Sequence, residues 1–390
     1  MSQKLINHSP DLKQLKDEGY SIEEKHGFLL VHDVPYLNSN KEISFGTLVS
    51  ELNLAGDVTT PPNTHVIFFI GQQPCNKDGS IIAGIIHETS INRKLADGIV
   101  VNHSFSNRPQ DGYTNYYHKI TRYIEIIMAP AQSMDHSLDA RTHKVYESLD
   151  HPSFHYVDTN SSRAKIASIT EKLSAQKIAI IGLGGTGAYI LDFVAKTPVA
   201  EIHLYDGDVF LQHNAFRTPG AVSIEQLKER FSKVDYLLQI YQNMRKNIFA
   251  HNEYLDVTNI DSILGMDFVF ISIDEGAIKR IIINKLNEHK ISFNDVGIGI
   301  EVEGDLLIGD ARVTTGSPEK QDHLLERISL ADRVDEAYST NIQIAELNAL
   351  NAAMAVIKWK KLFGYYFDPI KANHNVYNLA TGDMMYGDHS

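Results

Sequence analysis

The 390-residue sequence predicts an α/β fold: a Rossmann-like, mainly parallel sheet preceded by an α+β N-terminal domain. Three observations predict it. A β-branched run, Lys177–Ile181, leads straight into the glycine turn GLGGTG, and a helix-forming run follows. After that unit, short apolar strands alternate with helical stretches, the pattern of a sheet covered on both faces. Before it, strand-like runs follow one another with few helices between, as in an antiparallel α+β domain.

Composition sets the bounds. Apolar content of 43% and charged content of 22% are those of a globular protein. The net charge of −13 argues against a general nucleic-acid binder, which needs a basic footprint. Cys75 is the single cysteine, so neither an intrachain disulfide nor a cysteine zinc site is expected. The start of the chain is polar and lacks a signal-peptide core, and no run reaches membrane-span length. A cytoplasmic enzyme that binds neither membrane nor nucleic acid is the expectation.

In chain order, residues 1–20 read as a short polar helix and 20–34 as two strands around His26 and Gly27. Residues 44–53 read as a helix. Strands are expected at 65–70, 81–86, 98–101 and 118–130, with a polar loop at 104–116 and a helix at 140–149. The polar stretch DTNSSR, 158–163, is the expected boundary between domains 1–157 and 158–390. Helices at 223–231 and 233–247, a strand at 267–273 and a helix at 277–289 follow. Two strands, 292–300 and 301–313, precede a polar loop at 314–323. A long apolar helix lies within 339–362, as core or dimer surface.

The chemistry starts at the glycines. Gly182 permits the tight turn, Gly184 or Gly185 lets a phosphate approach the backbone, and Gly187 lets helix and strand pack closely. The second strand, Glu201–Tyr205, ends in Asp206, placed for a ribose hydroxyl. Four further features exceed the needs of a plain dinucleotide site. Asp208 gives a second acid, Asn214 and Arg217 lie three apart just beyond, Lys233 opens a helix, and Asp274 ends the strand FVFISID. An enzyme working at the α-phosphate of ATP needs such cations and a carboxylate for Mg²⁺. Lys279 and Arg280 either help the phosphates or form a solvated helix face. Cys75 reads as a structural thiol. His65, His87, His103 and His118 fit no compact metal motif.

Gly182–Gly187, Asp206, Asp208, Asn214, Arg217, Lys233 and Asp274 together resemble the ordered motif set of the ThiF/MoeB/ubiquitin-activating superfamily. The resemblance covers roughly 160–365. It implies a ThiF-type adenylation domain, usually homodimeric, that uses ATP to adenylate the carboxy-terminal glycine of a ubiquitin-like or sulfur-carrier protein. It assigns Asp206 to the ribose, Asn214, Arg217 and Lys233 to the phosphates, and Asp274 to Mg²⁺. Arg163 resembles the arginine that family members lend to the partner subunit's ATP. The amino-terminal half resembles the extra domain fused to such enzymes in bacterial ubiquitin-like conjugation operons. It implies recruitment of the ubiquitin-like protein or a conjugating enzyme, on a fold similar to a degenerate conjugating enzyme.

Two departures matter. The CxxC pairs of many members are absent, so no zinc is expected. The catalytic cysteine is absent too. The acyl-adenylate then passes directly to an acceptor, or Thr314, Thr315 or Ser317 takes the acyl group as an oxyester with His323 as the nearest base. Three rival readings remain: a sulfur-carrier adenylyltransferase, an NAD-dependent oxidoreductase, and a non-catalytic scaffold that binds a ubiquitin-like protein.

Overall fold

The computed structural model describes residues 2–144, 146, 153–164, 166–330 and 342–389; the side chains of 2–4, 162 and 163 lie outside that description. The chain divides into two compact units, Met1–Glu171 and Lys172–Ser390. No helix among the described residues is long and apolar enough to cross a membrane.

The first unit is built on a six-stranded antiparallel sheet. Its spatial order is Ile22–Lys25, Phe28–Leu37, Ile43–Glu51, Val66–Ile70, His103–Ser106 and Ile86–Glu88. Several expectations are corrected here. The expected helix at 44–53 is instead mostly the strand Ile43–Glu51, which finds hydrogen-bonding partners on both sides. Residues 118–130 are not a strand but part of the helix Tyr116–Gln132. Its aromatic and β-branched content suggests a strand, yet Tyr116, Ile120, Tyr123, Ile124 and Ile127 fall on one helical face. That face is buried against Leu29, Val31, Phe69 and Phe105, and Asn115 caps the helix by accepting from the His118 N–H at 2.8 Å. Residues 140–144 are irregular rather than helical, and most of the remaining predicted helix lies outside the described residues. The expected strand at 81–86 is interrupted by a 3₁₀ turn, Ala83–Ile85, and only Ile86 enters a strand. Cys75 is buried, and burial pushes its thiol pKa up, as befits a structural thiol.

The second unit holds an eight-stranded mixed sheet. In chain order its strands are β1 Lys177–Ile181, β2 Glu201–Tyr205, β3 Ile248–His251, β4 Phe268–Ile271, β5 Ser292–Glu303, β6 Leu306–Gly316, β7 Ala372–Asn378 and β8 Met384–His389. Its spatial order is β3-β2-β1-β4-β5-β6-β7-β8. Pairings from β3 through β5 are parallel and those from β5 through β8 antiparallel. The main helices are α1 Gly185–Ala195, α2 Lys233–Tyr241, α3 Gly276–Glu288 and α4 Ala345–Leu362. The part of the expected long helix before 342 lies outside the described residues.

Alternation along β1 separates two cores. Ile178 and Ile180 face α1, α2 and α4, where Leu191, Leu237, Ala355 and Trp359 are buried. Ala179 and Ile181 face α3, with Ile282, Ile283 and Leu286. Both faces are apolar because both are covered. The expected loop at 314–323 is corrected at its start. β6 runs through Thr314 and Thr315, which pair with Asp295 and Asn294.

One buried cation in the first unit fixes a pH dependence. Lys119 is fully buried in the helix Tyr116–Gln132; its Nζ donates to Ser50 Oγ at 3.0 Å and to the Val66 carbonyl at 2.8 Å. Burial pushes the ammonium down to about 7. Below that pH the folded and unfolded chains both hold the proton. Above it, up to the ordinary lysine range, only the unfolded chain does, so this group's contribution to stability rises with pH. Urea unfolding of wild type and Lys119→Met between about pH 6 and pH 9 should therefore show a difference that shifts in favour of wild type as pH rises. A difference independent of pH contradicts the assignment.

Candidate active site

At the carboxyl edge of the second sheet lies a cavity of about 890 Å³. It is lined by Gly182, Gly184 and Gly185 after β1, Asp206 and Asp208 after β2, Arg217, Lys233 of α2, and Asp274 after β4. Eight of the residues singled out from the sequence are thus gathered in one place, where ligands of open α/β sheets bind.

Backbone geometry explains the turn. Gly182 has φ +84°, and a side chain there would meet the Ser272 carbonyl at 2.5 Å. A side chain at Gly187 would lie 1.9 Å from the Gly182 carbonyl. Gly187 does not line the cavity; its role is this close approach of α1 to β1.

Asp206 is buried. Its Oδ2 accepts the Leu183 N–H at 2.7 Å and its Oδ1 the Asp208 N–H at 2.9 Å, which folds the chain after β2 back over the glycine turn. Ser232 caps α2 by accepting from the Asp235 N–H, and the Lys233 N–H donates to the Asp208 carbonyl at 2.9 Å. These contacts aim Lys233 at both acids: Nζ lies 3.3 Å from Asp206 Oδ2 and 2.5 Å from Asp208 Oδ2. Tyr254 donates its hydroxyl to Asp208. Burial raises the Asp208 carboxyl, but the bonds from Lys233 and Tyr254 outweigh it and hold the pKa below the ordinary value. The same bond pushes the Tyr254 hydroxyl up to about 12.

Arg217 stands on the cavity wall with its Nε buried and unpartnered. Burial lowers its pKa, opposed by the charge of Asp274. Asp274 itself is exposed at the end of β4. Asn214 does not line the cavity. It is buried in the short helix Gln212–Ala215, its Oδ1 accepts the Leu211 N–H at 2.8 Å, and its Nδ2 has no partner. The side chain of Arg163 lies outside the described residues.

The three hydroxyls expected as acyl acceptors sit apart from the cavity lining. Thr314, Thr315 and Ser317 are buried. Thr315 Oγ1 donates to Asn294 Oδ1 at 2.7 Å, and Thr314 Oγ1 is 3.0 Å from His374 Nδ1. His323, the base expected from sequence proximity, faces the Thr315 carbonyl at 3.1 Å instead. Burial pulls His374 down to about 4.

Of the pair left open between phosphate contacts and a solvated face, Lys279 is buried on the cavity wall and forms an ion pair with Asp295 at 2.9 Å, while Arg280 is exposed. Sequence reasoning missed other lining residues. Arg312 reaches the other oxygen of Asp295, also at 2.9 Å. Asn348 of α4 meets the glycine turn. The available signals were polar residues inside apolar runs: Asn294 and Asp295 in β5, Asn348 and Asn351 in α4.

A tight glycine turn between strand and helix, a buried acid at the end of the next strand and cations on the cavity wall are the features of a Rossmann-like domain. The ThiF family model matches residues 160–380, and the chain belongs to the ThiF family, with the ThiF-type adenylation fold. A domain of unknown function, DUF6791, matches residues 10–159. Among solved structures, Escherichia coli MccB with ATP is 17% identical, over 60% of this chain and 73% of that one, with a TM-score of 0.48. The microcin C7 biosynthetic enzyme MccB in complex with N-formylated MccA is 16% identical, over 59% and 72%, with a TM-score of 0.46. PaaA is 16% identical, over 56% and 75%, with a TM-score of 0.43. No curated protein matches the chain.

Mg²⁺ suits the donors at this cavity. It is usually held by one or two carboxylates together with substrate phosphates rather than by a protein cage. Asp274 is such an exposed carboxylate, and no cluster of three or more potential ligands occurs among the described residues.

The Lys233 clasp has a measurable consequence. Lys233→Met leaves Asp206 buried beside Asp208 with no cation, which should cost about 3 kcal/mol of stability. The double variant Asp206→Asn, Lys233→Met should recover much of that loss in urea unfolding. A single variant as stable as wild type contradicts the clasp.

Proposed function

We propose that the chain is an ATP- and Mg²⁺-dependent adenylyltransferase that activates the carboxy-terminal glycine carboxylate of a ubiquitin-like protein. The observation that supports it most is Arg217, a half-buried guanidinium on the cavity wall whose Nε has no protein partner. A nicotinamide dinucleotide would use the glycines and Asp206 and leave Arg217, Lys233 and Asp274 without a task.

In this reading Asp206 holds the ribose and the start of α1 receives the phosphates. A carboxylate oxygen of the carrier attacks the α-phosphorus. The new O–P bond forms as the bond to the bridging oxygen breaks, and pyrophosphate leaves with the electron pair. Arg217 and Lys233 meet the charge that develops, Lys233 exchanging its bond to Asp208 for the triphosphate. Asp274 would hold Mg²⁺, which supplies further neutralisation of the phosphate oxygens. Asn214 sets the turn that carries Arg217, since its carbonyl accepts both the Arg217 N–H and the Thr218 hydroxyl.

The burial of Thr314, Thr315 and Ser317 favours direct transfer of the acyl-adenylate to a conjugating enzyme or other acceptor over an oxyester on the chain. The first unit recruits the carrier or that enzyme. We further propose a homodimer in the cytoplasm, with Arg163 lent to the partner subunit's ATP.

Pyrophosphate exchange tests the reading, with a ubiquitin-like protein ending in glycine as substrate. Wild type should exchange, and Arg217→Ala should lose about 100-fold or more. Asp274→Asn should abolish exchange with the fold intact. Full exchange by Arg217→Ala, or binding of NAD in preference to ATP, contradicts it.

A further inference from the structure

We infer that Asn348 is a phosphate ligand of the cavity, supplied by α4 rather than by the strand–turn–helix unit. The inference rests on the nucleotide reading above and adds a residue to it. Asn348 is 1% exposed, yet it lines the cavity. Its Oδ1 accepts the Thr186 hydroxyl at 2.9 Å, which fixes the amide, and its Nδ2 has no partner. A buried amide nitrogen without an acceptor is an unmet donor, and this one lies on the wall of the cavity.

That donor sits on the glycine turn. A side chain at Gly185 would place its first carbon 2.1 Å from Asn348 Nδ2, so position 185 is glycine because the amide occupies the space. At Gly184 the corresponding direction is open, with nothing within 4 Å. The first N–H groups of α1, an 11-residue helix, have no partner within the helix. The Asn348 donor thus adjoins the backbone donors that open α1, one residue from the open space at Gly184. A phosphate brings acceptor oxygens and no donors, which is the complement of that set. Adenosine alone has no group of this kind.

Calorimetric titration of the full chain with Mg²⁺-ATP, adenosine and pyrophosphate tests the assignment. Asn348→Leu should lose about tenfold in affinity for ATP and pyrophosphate and nothing for adenosine. Asn348→Asp, which replaces the donor by a repelling charge, should lose more. Thr186→Val leaves Asn348 in place but frees its amide, and should show a smaller loss with the same dependence on phosphate. Gly185→Ala should behave like Asn348→Leu. The inference is overturned if Asn348→Leu and Thr186→Val bind ATP and pyrophosphate as wild type does, or if ATP and adenosine weaken equally. If wild type binds pyrophosphate but not ATP, and Asn348→Leu loses it, the adenylation reading falls and the phosphate ligand stands. If wild type binds neither, both fall.

Discussion

The second unit depends on how closely α1 approaches β1. With the Gly187 position only 1.9 Å from the Gly182 carbonyl in the direction of a side chain, any other residue would push the helix away from the sheet. The helix start would then no longer overhang the carboxyl edge of β1. That one contact places the free N–H groups of α1, brings Leu183 within reach of Asp206, and lets Asn348 of α4 settle on Gly185. Every group assigned to phosphate chemistry is positioned relative to it.

A second constraint is electrostatic. Asp206 and Lys233 are both buried, and each would be costly to bury alone. Their pairing, extended to Asp208 and Tyr254, keeps the resting cavity closed on its own charges. Arg217 is different: its Nε is left without a partner. The Lys233 ammonium is paired with both acids, whereas one nitrogen of the Arg217 guanidinium has no protein acceptor. Lys279 and Arg312 share the fully buried Asp295, which ties β5, β6 and α3 together at the cavity wall.

Much of this was legible in the sequence where chemistry is local. The glycines, Asp206, Lys233 and Asp274 each follow directly on a recognisable strand or open a helix, so their positions at the sheet edge follow from topology. Asn348 and Arg312 were not legible, because only the spatial order of the strands and the packing of α4 on α1 bring them to the glycine turn and to Asp295. In the first unit, the helix Tyr116–Gln132 and the strand Ile43–Glu51 exchange their expected types. Aromatic and β-branched residues suit a helix whose buried face needs bulk, and pairing on both sides overrides weak local preference. Thr314 and Thr315 read as loop because they are polar, yet their hydroxyls are satisfied inside the sheet.

The most direct test is a crystal structure with ATP and Mg²⁺ bound. The account expects the ribose on Asp206, the triphosphate across the start of α1 with Arg217 and Lys233 turned to it, and the metal between Asp274 and the phosphates. A well-ordered nucleotide with Arg217, Lys233 and Asp274 all directed away from its α-phosphate would contradict it.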